Sequence, residues 1–382
     1  MFSLYQSVKS NHRLSDSVSA NCRGTIVMVY TEPSLGYEVE FVNEASETID
    51  LLTVKGEDIS LIDSGAAVKQ NNKKPFVLAV VGPTASGKTW LGVELAKIYG
   101  GEVISADSMQ IYKGMDIASA KPTEAEKQGI PHHLMGILDR DVSFSAADYV
   151  LLANEKIQEV LSRGRLPIIV GGTGLYVDSL LENVKFSEGG SDEAYRQELY
   201  AFAKEHGNEA LHARLAEIDS EAAEGIHPNN LVRVVRALEV CRVTGRKFSD
   251  LKRESKLVES PYSSLIIGLN YENRQTLYDR IDLRVDEMVK AGLVGEARQL
   301  WEESGMKTAA NAIGYKELIP YFERKAELSD CIGTIKQETR HYAKRQLTWF
   351  RKNGRIEWLF LDRFNKNEEI LEKCKKTIAN YF

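Results

Sequence analysis

The chain has 382 residues, 43% hydrophobic and 27% charged, with a formal net charge of -6. That is room for two or three domains at ~150 residues each, and no run approaches the ~18 apolar residues that a membrane helix needs. An acidic total argues against indiscriminate nucleic-acid binding, whose affinity comes from clustered Lys and Arg.

The start, MFSLYQSVKSNHRLSDS, lacks the apolar stretch of ~7–15 residues of a secretory signal, so a cytoplasmic protein without membrane attachment is expected. Cys22, Cys241, Cys331 and Cys374 form no CxxC pair, which fits reduced thiols better than a disulfide frame or a zinc site. Residues 1–62 read as a small β-barrel-like module. Between 23 and 62, short alternating runs such as "GTIVMVY", "GYEVEFV" and "TIDLLTV" are separated by turn-forming "TEPSLG" and "NEASE", the pattern of a small antiparallel sheet. Residues 63–74, "DSGAAVKQNNKK", are small and polar and read as a linker.

From residue 75 strands and helices alternate. "FVLAVVG", "EVISAD" and "LPIIVGG" are strands, and "KTWLGVELAKIYG" and "SAADYVLLANEKIQEVLSRG" are helices, the texture of a parallel sheet covered on both faces. Residues 190–262 turn helical and charged and read as an insertion, after which "SSLIIGLNY" returns to strand. Helical segments are expected near 273–303, 314–325 and 330–352, and "IEWLFLD" is a last strand before a last helix. Residues 334–355 carry seven basic residues against one acid, a local balance of +6. A basic face is therefore expected on an acidic protein.

"VVGPTASGKT" places Gly82, Pro83, Thr84, Ala85, Ser86, Gly87, Lys88 and Thr89 between an apolar strand and a helix. In that context G-x-x-x-x-G-K-[ST] is a phosphate-binding loop, and such a loop usually holds ATP or GTP. Backbone N–H groups and the helix N-terminus converge on phosphate oxygens, Lys88 neutralises charge, and the Thr89 hydroxyl suits Mg²⁺. An ATPase also needs an acid at a strand end to hold Mg²⁺ and position water. Only "VISAD", ending at Asp107, offers one. Asp107 then serves magnesium, serves the chemistry, or caps a turn. The residues that follow it, Ser108, Met109 and Gln110, include groups suited to reading a base edge.

"GPTASGKT", "ISADSMQIYKGMDIASAKPT", "PHHL", "FSAADY", "PIIVGGTGLYVDSLL", "IHPNNLVRVVRALEV", "AIGYKEL" and "RQLTWFRK", in this order, resemble the bacterial tRNA dimethylallyltransferases, also called tRNA isopentenyltransferases. The likeness covers residues 76 to about 365 and leaves 1–74 without a counterpart. It implies an α/β fold: a P-loop nucleotide-kinase-like parallel sheet over 75–189 and 263–382, with a helical C-terminal part. It also implies that the insertion at 190–262 binds the anticodon stem-loop of tRNA. The implied reaction moves a dimethylallyl group from its diphosphate to N6 of an adenine beside the anticodon, with Mg²⁺. The related enzymes that prenylate free adenine nucleotides are the alternative.

On this likeness the phosphate loop, residues 82–89, holds the departing diphosphate, Asp107 matches the general base, Thr173 the threonine at the reacting centre, and Arg280 a diphosphate ligand. Thr173 reads alternatively as a helix cap, and Arg280 and Arg284, four apart on one helix face, as ion-pair partners of nearby acids. The implied tRNA contacts are Asp107, Ser108, Met109, Gln110, Thr173, Arg196, then Val232, Arg233, Val234, Val235 and Arg236. Asn311, Ala312, Ile313, Gly314, Tyr315 and Lys316 follow, with Arg340, Lys344 and Arg345 on the basic helix. Taken singly, each basic residue reads equally well as a solvated charge. His132 and His133 are expected to pack or to hydrogen-bond, and the protein is expected to be a monomer.

Overall fold

The computed structural model describes residues 7–30, 36–43, 48–61, 74–184, 192–255, 259–303 and 312–381. The expected linker, except Lys74, and the site candidate Asn311 lie outside the described residues. The chain divides into two compact units, Met1–Lys73 and Lys74–Phe382.

The first unit is one antiparallel sheet of β1 (Ser7–Ser10), β2 (Arg23–Tyr30), β3 (Gly36–Val42), β4 (Thr48–Val54) and β5 (Ile59–Leu61), in the order β4-β3-β2-β1-β5. Its alternation is the expected one. Tyr37, Val39 and Phe41 of β3 face inward with Val8, Ile26 and Ile59, while Glu38 and Glu40 between them do not enter that core.

The second unit is built on β6 (Phe76–Val81), β7 (Gly101–Ser105), β8 (His132–His133), β9 (Leu166–Gly171), β10 (Ser263–Asn270) and β11 (Ile356–Phe360). All neighbours are parallel, in the order β11-β10-β6-β9-β7-β8. Around and between the strands run α1 (Lys88–Tyr99), α2 (Glu124–Lys127), α3 (Ala146–Ser162) and α4 (Gly174–Leu181). Next come α5 (Glu193–His206), α6 (Asn208–Ile218), α7 (Ser220–Gly225), α8 (Leu231–Thr244) and α9 (Phe248–Ser255). Last are α10 (Arg274–Lys290), α11 (Leu293–Glu302), α12 (Ile319–Phe322), α13 (Leu328–Phe350) and α14 (Asn367–Ala379).

β6 shows why its run is almost uniformly apolar. Val77, Ala79 and Val81 enter a core that also holds residues of α3 and α4, whereas Leu78 and Val80 enter the opposite one with residues of α1 and α14. Both faces are covered, so neither can be polar. α3 starts at a capping box in which Ser145 and Asp148 satisfy each other's backbone N–H.

The insertion, α5–α9, has its own core around Leu199, Leu211, Leu215, Val234, Val235 and Leu238. No described helix is long and apolar enough to cross a membrane. Two expected helical stretches are divided. The segment 273–303 breaks where Gly292 takes φ +106°, starting α11 on a new axis, and 314–325 contains only a short 3-10 turn at Lys316–Leu318 before α12.

"PHHL" adds an edge strand that the sequence reading did not anticipate. The His133 Nε2 and Arg163 Nη2 atoms both lie 2.7 Å from Glu102 Oε2, tying β8 and the end of α3 to β7. The Arg163 bond, with the His133 bond, outweighs burial and holds the Glu102 carboxyl below its usual range. His132 places Nδ1 2.8 Å from the carbonyl of Ile130, so both histidines have hydrogen-bonding roles.

Candidate active site

The turn after β6 takes φ +147° at Gly82, +61° at Ala85 and +86° at Gly87 before α1 begins at Lys88. Left-handed positions of this kind aim successive N–H groups into one concavity, and the unbonded N–H groups of the first turn of α1 add partial positive charge. Gly82 is also required by space: a Cβ there would lie 2.5 Å from the backbone oxygen of Leu269. Ser86 is fully buried and its hydroxyl has no hydrogen-bond partner. A buried hydroxyl left without a partner is costly, and in a phosphate loop it suits an anion's oxygen.

Lys88 donates from Nζ to the carbonyl of Pro83 at 2.7 Å. Burial, with Arg284 nearby and Asp107 opposing, pushes its pKa down to about 7. Arg280 donates through Nε to the carbonyl of Ala85 at 3.1 Å and lies over the Tyr271 ring at 5.7 Å. Arg284, one helical turn on, has its pKa lowered by burial, against the opposing pull of the Glu126, Asp107 and Glu287 carboxylates. Neither arginine has an ion pair among the described residues. Of the neighbouring acids on α10, Asp282 pairs with Arg340 and Asp286 with Lys336 at 2.7 Å. Among the described residues, then, Lys88, Arg280 and Arg284 have no ion-pair partner within salt-bridge distance.

The opposite wall is made where β7 and β9 end side by side. A Cβ on Gly171 would fall 2.1 Å from the Ala106 oxygen, and this close approach sets Asp107 beside Thr173. Asp107 Oδ1 accepts the N–H groups of Met109 at 2.9 Å and Gln110 at 3.4 Å, leaving Oδ2 without a bond among the described residues. One carboxylate oxygen is fixed as a turn cap and the other is available. Thr173 precedes α4 but caps no helical N–H. Its Oγ1 accepts the Ser108 N–H at 3.1 Å and lies 3.5 Å from Ser108 Oγ, so the capping role is set aside. Burial raises the Tyr342 pKa, and its phenol stays protonated.

α13 joins the two walls through Gln346. Its Oε1 accepts the Thr84 N–H at 2.9 Å and its Nε2 donates to the Gly172 carbonyl at 2.9 Å. Ser86, Lys88, Asp107, Arg280, Arg284, Tyr342 and Gln346 line a cavity of about 610 Å³ that also includes Met109, Ala312, Ile313, Gly314, Lys316 and Arg345; Thr173 is not among the lining residues but bonds to Ser108, which is. Sequence reasoning did not assign Gln346 or Tyr342 to the site.

The other candidates are placed as follows. Gln110 turns its amide inward, accepting from Ser105 Oγ at 3.0 Å and donating to the carbonyls of Ser119 and Ala120 at 3.3 and 3.1 Å. Its two N–H donors are thus taken by the protein, while Oε1 keeps a second lone pair and Gln110 lines the cavity. Val234 and Val235 are corrected as side-chain contacts, since each is 1% exposed in the insertion core. Val232, by contrast, is 68% exposed, and Arg233 beside it is exposed.

Arg196 and Arg236 both bind the buried carboxylate of Glu239, at 2.8 and 2.7 Å. Arg340 is held by Asp282, whereas Lys344 and Arg345 are exposed. Tyr315 is fully buried and Lys316 is exposed. Thr89 opens α1 at the cavity wall, and no group of three or more His, Cys, Asp or Glu among the described residues forms a ready metal cage.

Residues 110–353 match the family described as IPP transferase, and residues 13–61 match a domain of unknown function, DUF4926. A tRNA dimethylallyltransferase of Bacillus subtilis is 49% identical over 289 residues, covering 75% of this chain and 91% of that protein. The crystal structure of a full-length tRNA isopentenylpyrophosphate transferase from Bacillus halodurans superposes with a TM-score of 0.60 at 45% identity, over 81% of this chain and 96% of that one. A eukaryotic dimethylallyltransferase acting on tRNA superposes with a TM-score of 0.69 at 31% identity, over 80% of each chain.

Proposed function

This chain belongs to the IPP transferase family, and from that premise we propose that it transfers the dimethylallyl group of dimethylallyl diphosphate to N6 of adenosine 37 in tRNA, releasing diphosphate. The observation that supports it best is the pairing of two half-sites in one cavity. A phosphate loop with unpaired Lys88, Arg280 and Arg284 faces a carboxylate with one oxygen available, Asp107.

The bond from the allylic carbon to the diphosphate oxygen breaks as the N6–carbon bond forms. The electron pair leaves with the diphosphate, where the loop N–H groups, Lys88, Arg280 and Arg284 stabilise the growing negative charge. N6 of adenine is weakly basic and must lose a proton as it is alkylated, and Asp107 Oδ2 accepts it. Thr173, held by Ser108, orients the amine.

The chemistry of the donors fits Mg²⁺: the Thr89 hydroxyl and the diphosphate's own oxygens would hold it, without a carboxylate cage. Bound there, it would supply further positive charge to the leaving group. Adenosine 37 must leave its stack to reach the cavity, at a cost of a few kcal/mol. The insertion at 190–262 grips the anticodon stem-loop through Arg233 and the exposed part of α8, and Lys316, Lys344 and Arg345 hold backbone phosphates at the cavity mouth. The protein acts as a monomer in the cytoplasm, and 1–62 is a separate module.

Asp107→Ala tests the assignment. Transfer should be abolished while tRNA and dimethylallyl diphosphate still bind. Retained turnover would remove Asp107 from the role of base, and lost binding of both substrates would make it structural.

A further inference from the structure

Asp107 is held through a chain of hydrogen bonds that reaches well outside the cavity. The Met109 and Gln110 N–H groups that fix its Oδ1 belong to a turn held by backbone bonds to Gly136, Ile137 and Leu138 and by the Gln110 amide. That amide is anchored on the Ser119 and Ala120 carbonyls and on Ser105 Oγ. The 116–120 segment is in turn held by one side chain from another element, Glu296 of α11. Its two oxygens accept the N–H groups of Asp116 at 2.9 Å, Ile117 at 2.9 and 3.1 Å and Ala118 at 3.1 Å. Three consecutive N–H groups on one carboxylate make a strong, oriented clamp. The same Glu296 also accepts the hydroxyl of buried Tyr315 at 2.8 Å. Gly314 packs against the clamped segment so closely that a Cβ there would lie 3.1 Å from the Cβ of Ala118.

We propose that Glu296 is a positioning residue for the transfer reaction. By clamping residues 116–118 it sets the 107–120 loop and hence the Asp107 carboxylate, and through Tyr315 it makes that setting depend on the 312–316 segment. The phosphate loop is outside this chain: its supports are Gln346, Leu269 and Arg280. Loss of the clamp should therefore misplace the base without loosening the diphosphate. Coupling of this kind travels through contiguous bonded groups, and displacement of a reacting group by ~1 Å can lower the rate about 100-fold. The inference rests on the proposed prenyl transfer to tRNA.

The test compares wild type with Glu296→Gln, Glu296→Asp and Tyr315→Phe. It measures kcat and KM for tRNA, the affinity for dimethylallyl diphosphate without tRNA, and Tm. An amide at 296 presents an NH₂ to the N–H groups it must accept from. In Glu296→Gln, kcat should fall about 10- to 100-fold while the diphosphate affinity stays within about 3-fold of wild type. Glu296→Asp, which keeps the charge on a shorter stem, should recover part of the loss. Tyr315→Phe keeps all the N–H bonds and folds without difficulty, and should lower kcat by a few-fold with the same affinity.

An unchanged kcat in both Glu296→Gln and Tyr315→Phe would overturn the inference. So would a fall in diphosphate affinity matching the fall in kcat. If Glu296→Gln does not fold, Tyr315→Phe alone decides between the same two results. If wild type itself transfers nothing to tRNA, the functional reading fails and not the clamp.

Discussion

The cavity and the helical insertion use the same residue types in opposite ways. Around the phosphate loop Lys88, Arg280 and Arg284 have no ion-pair partner among the described residues. In the insertion Arg196 and Arg236 converge on one fully buried carboxylate, Glu239, which also accepts the Asp192 N–H at 2.9 Å. A cation that a protein leaves unneutralised near a buried, unpartnered hydroxyl is reserved for a ligand, whereas one that closes on a buried acid holds the fold. Both sets look alike in the sequence, as arginines spaced on helices. The distinction lies in where the acids go: Asp282 and Asp286 turn away to α13, and Glu239 turns inward.

Breaking the cavity side should have the largest effect. Arg284→Ala removes an unpaired cation from the leaving-group site, and kcat for transfer should fall about 10²- to 10³-fold with little change in Tm. If α10 positions it only for packing, the loss would appear in stability instead.

The insertion should show the reverse. Glu239→Gln breaks the charge-assisted bonds to Arg196 and Arg236, and chemical denaturation should report a loss of about 2 kcal/mol, held to that size because both arginines are about a third exposed or more. Burial raises the Glu239 pKa, but Arg236, the Asp192 N–H and Arg196 outweigh it and bring the carboxyl below its usual range. The sign follows: the stabilisation is present above the ordinary carboxylate pKa and is lost as pH falls through the lowered one. Acid melts of wild type and Glu239→Gln should therefore converge at low pH.

A smaller effect sharpens the cavity side. With the Lys88 pKa near 7 in the absence of an anion, a bound diphosphate raises it, so binding takes up a proton above pH 7. Affinity for dimethylallyl diphosphate, measured without tRNA, should fall by up to about tenfold per unit between pH 7 and 9, and Lys88→Met should flatten that slope. The smallest effect is expected from removing residues 1–73, which form their own unit. Transfer to full-length tRNA should stay within about twofold of the intact chain, since this unit has a core of its own and supplies no residue of the cavity.

What could be read from the sequence follows contact range. Gly82 to Thr89 is a local pattern whose φ values and helix start are dictated by spacing, and Asp107 follows from being the acid after a strand. The fold class follows from apolar strands such as β6 that must be covered on both faces. Gln346 was not legible as a site residue, because its bond to the Thr84 N–H spans 262 positions and nothing in the helix pattern distinguishes it. The partners of Gln110 were hidden for a related reason. Its type suits a base edge, but the carbonyls of Ser119 and Ala120 claim it once the loop closes. Val234 and Val235 sit in a basic motif, yet the hydrophobic period of α8 sends them into the core.

The central claim is acceptor choice combined with a diphosphate leaving group. One reaction tests it most directly: purified full chain, Mg²⁺, isotopically labelled dimethylallyl diphosphate, and equal amounts of unmodified tRNA and AMP, followed by nuclease digestion and mass spectrometry. The account predicts label on N6 of adenosine 37 of tRNA, one diphosphate released per label, and none on AMP. Label on AMP with bare tRNA, or no transfer to a tRNA carrying an A-A-A anticodon-loop sequence, would contradict it.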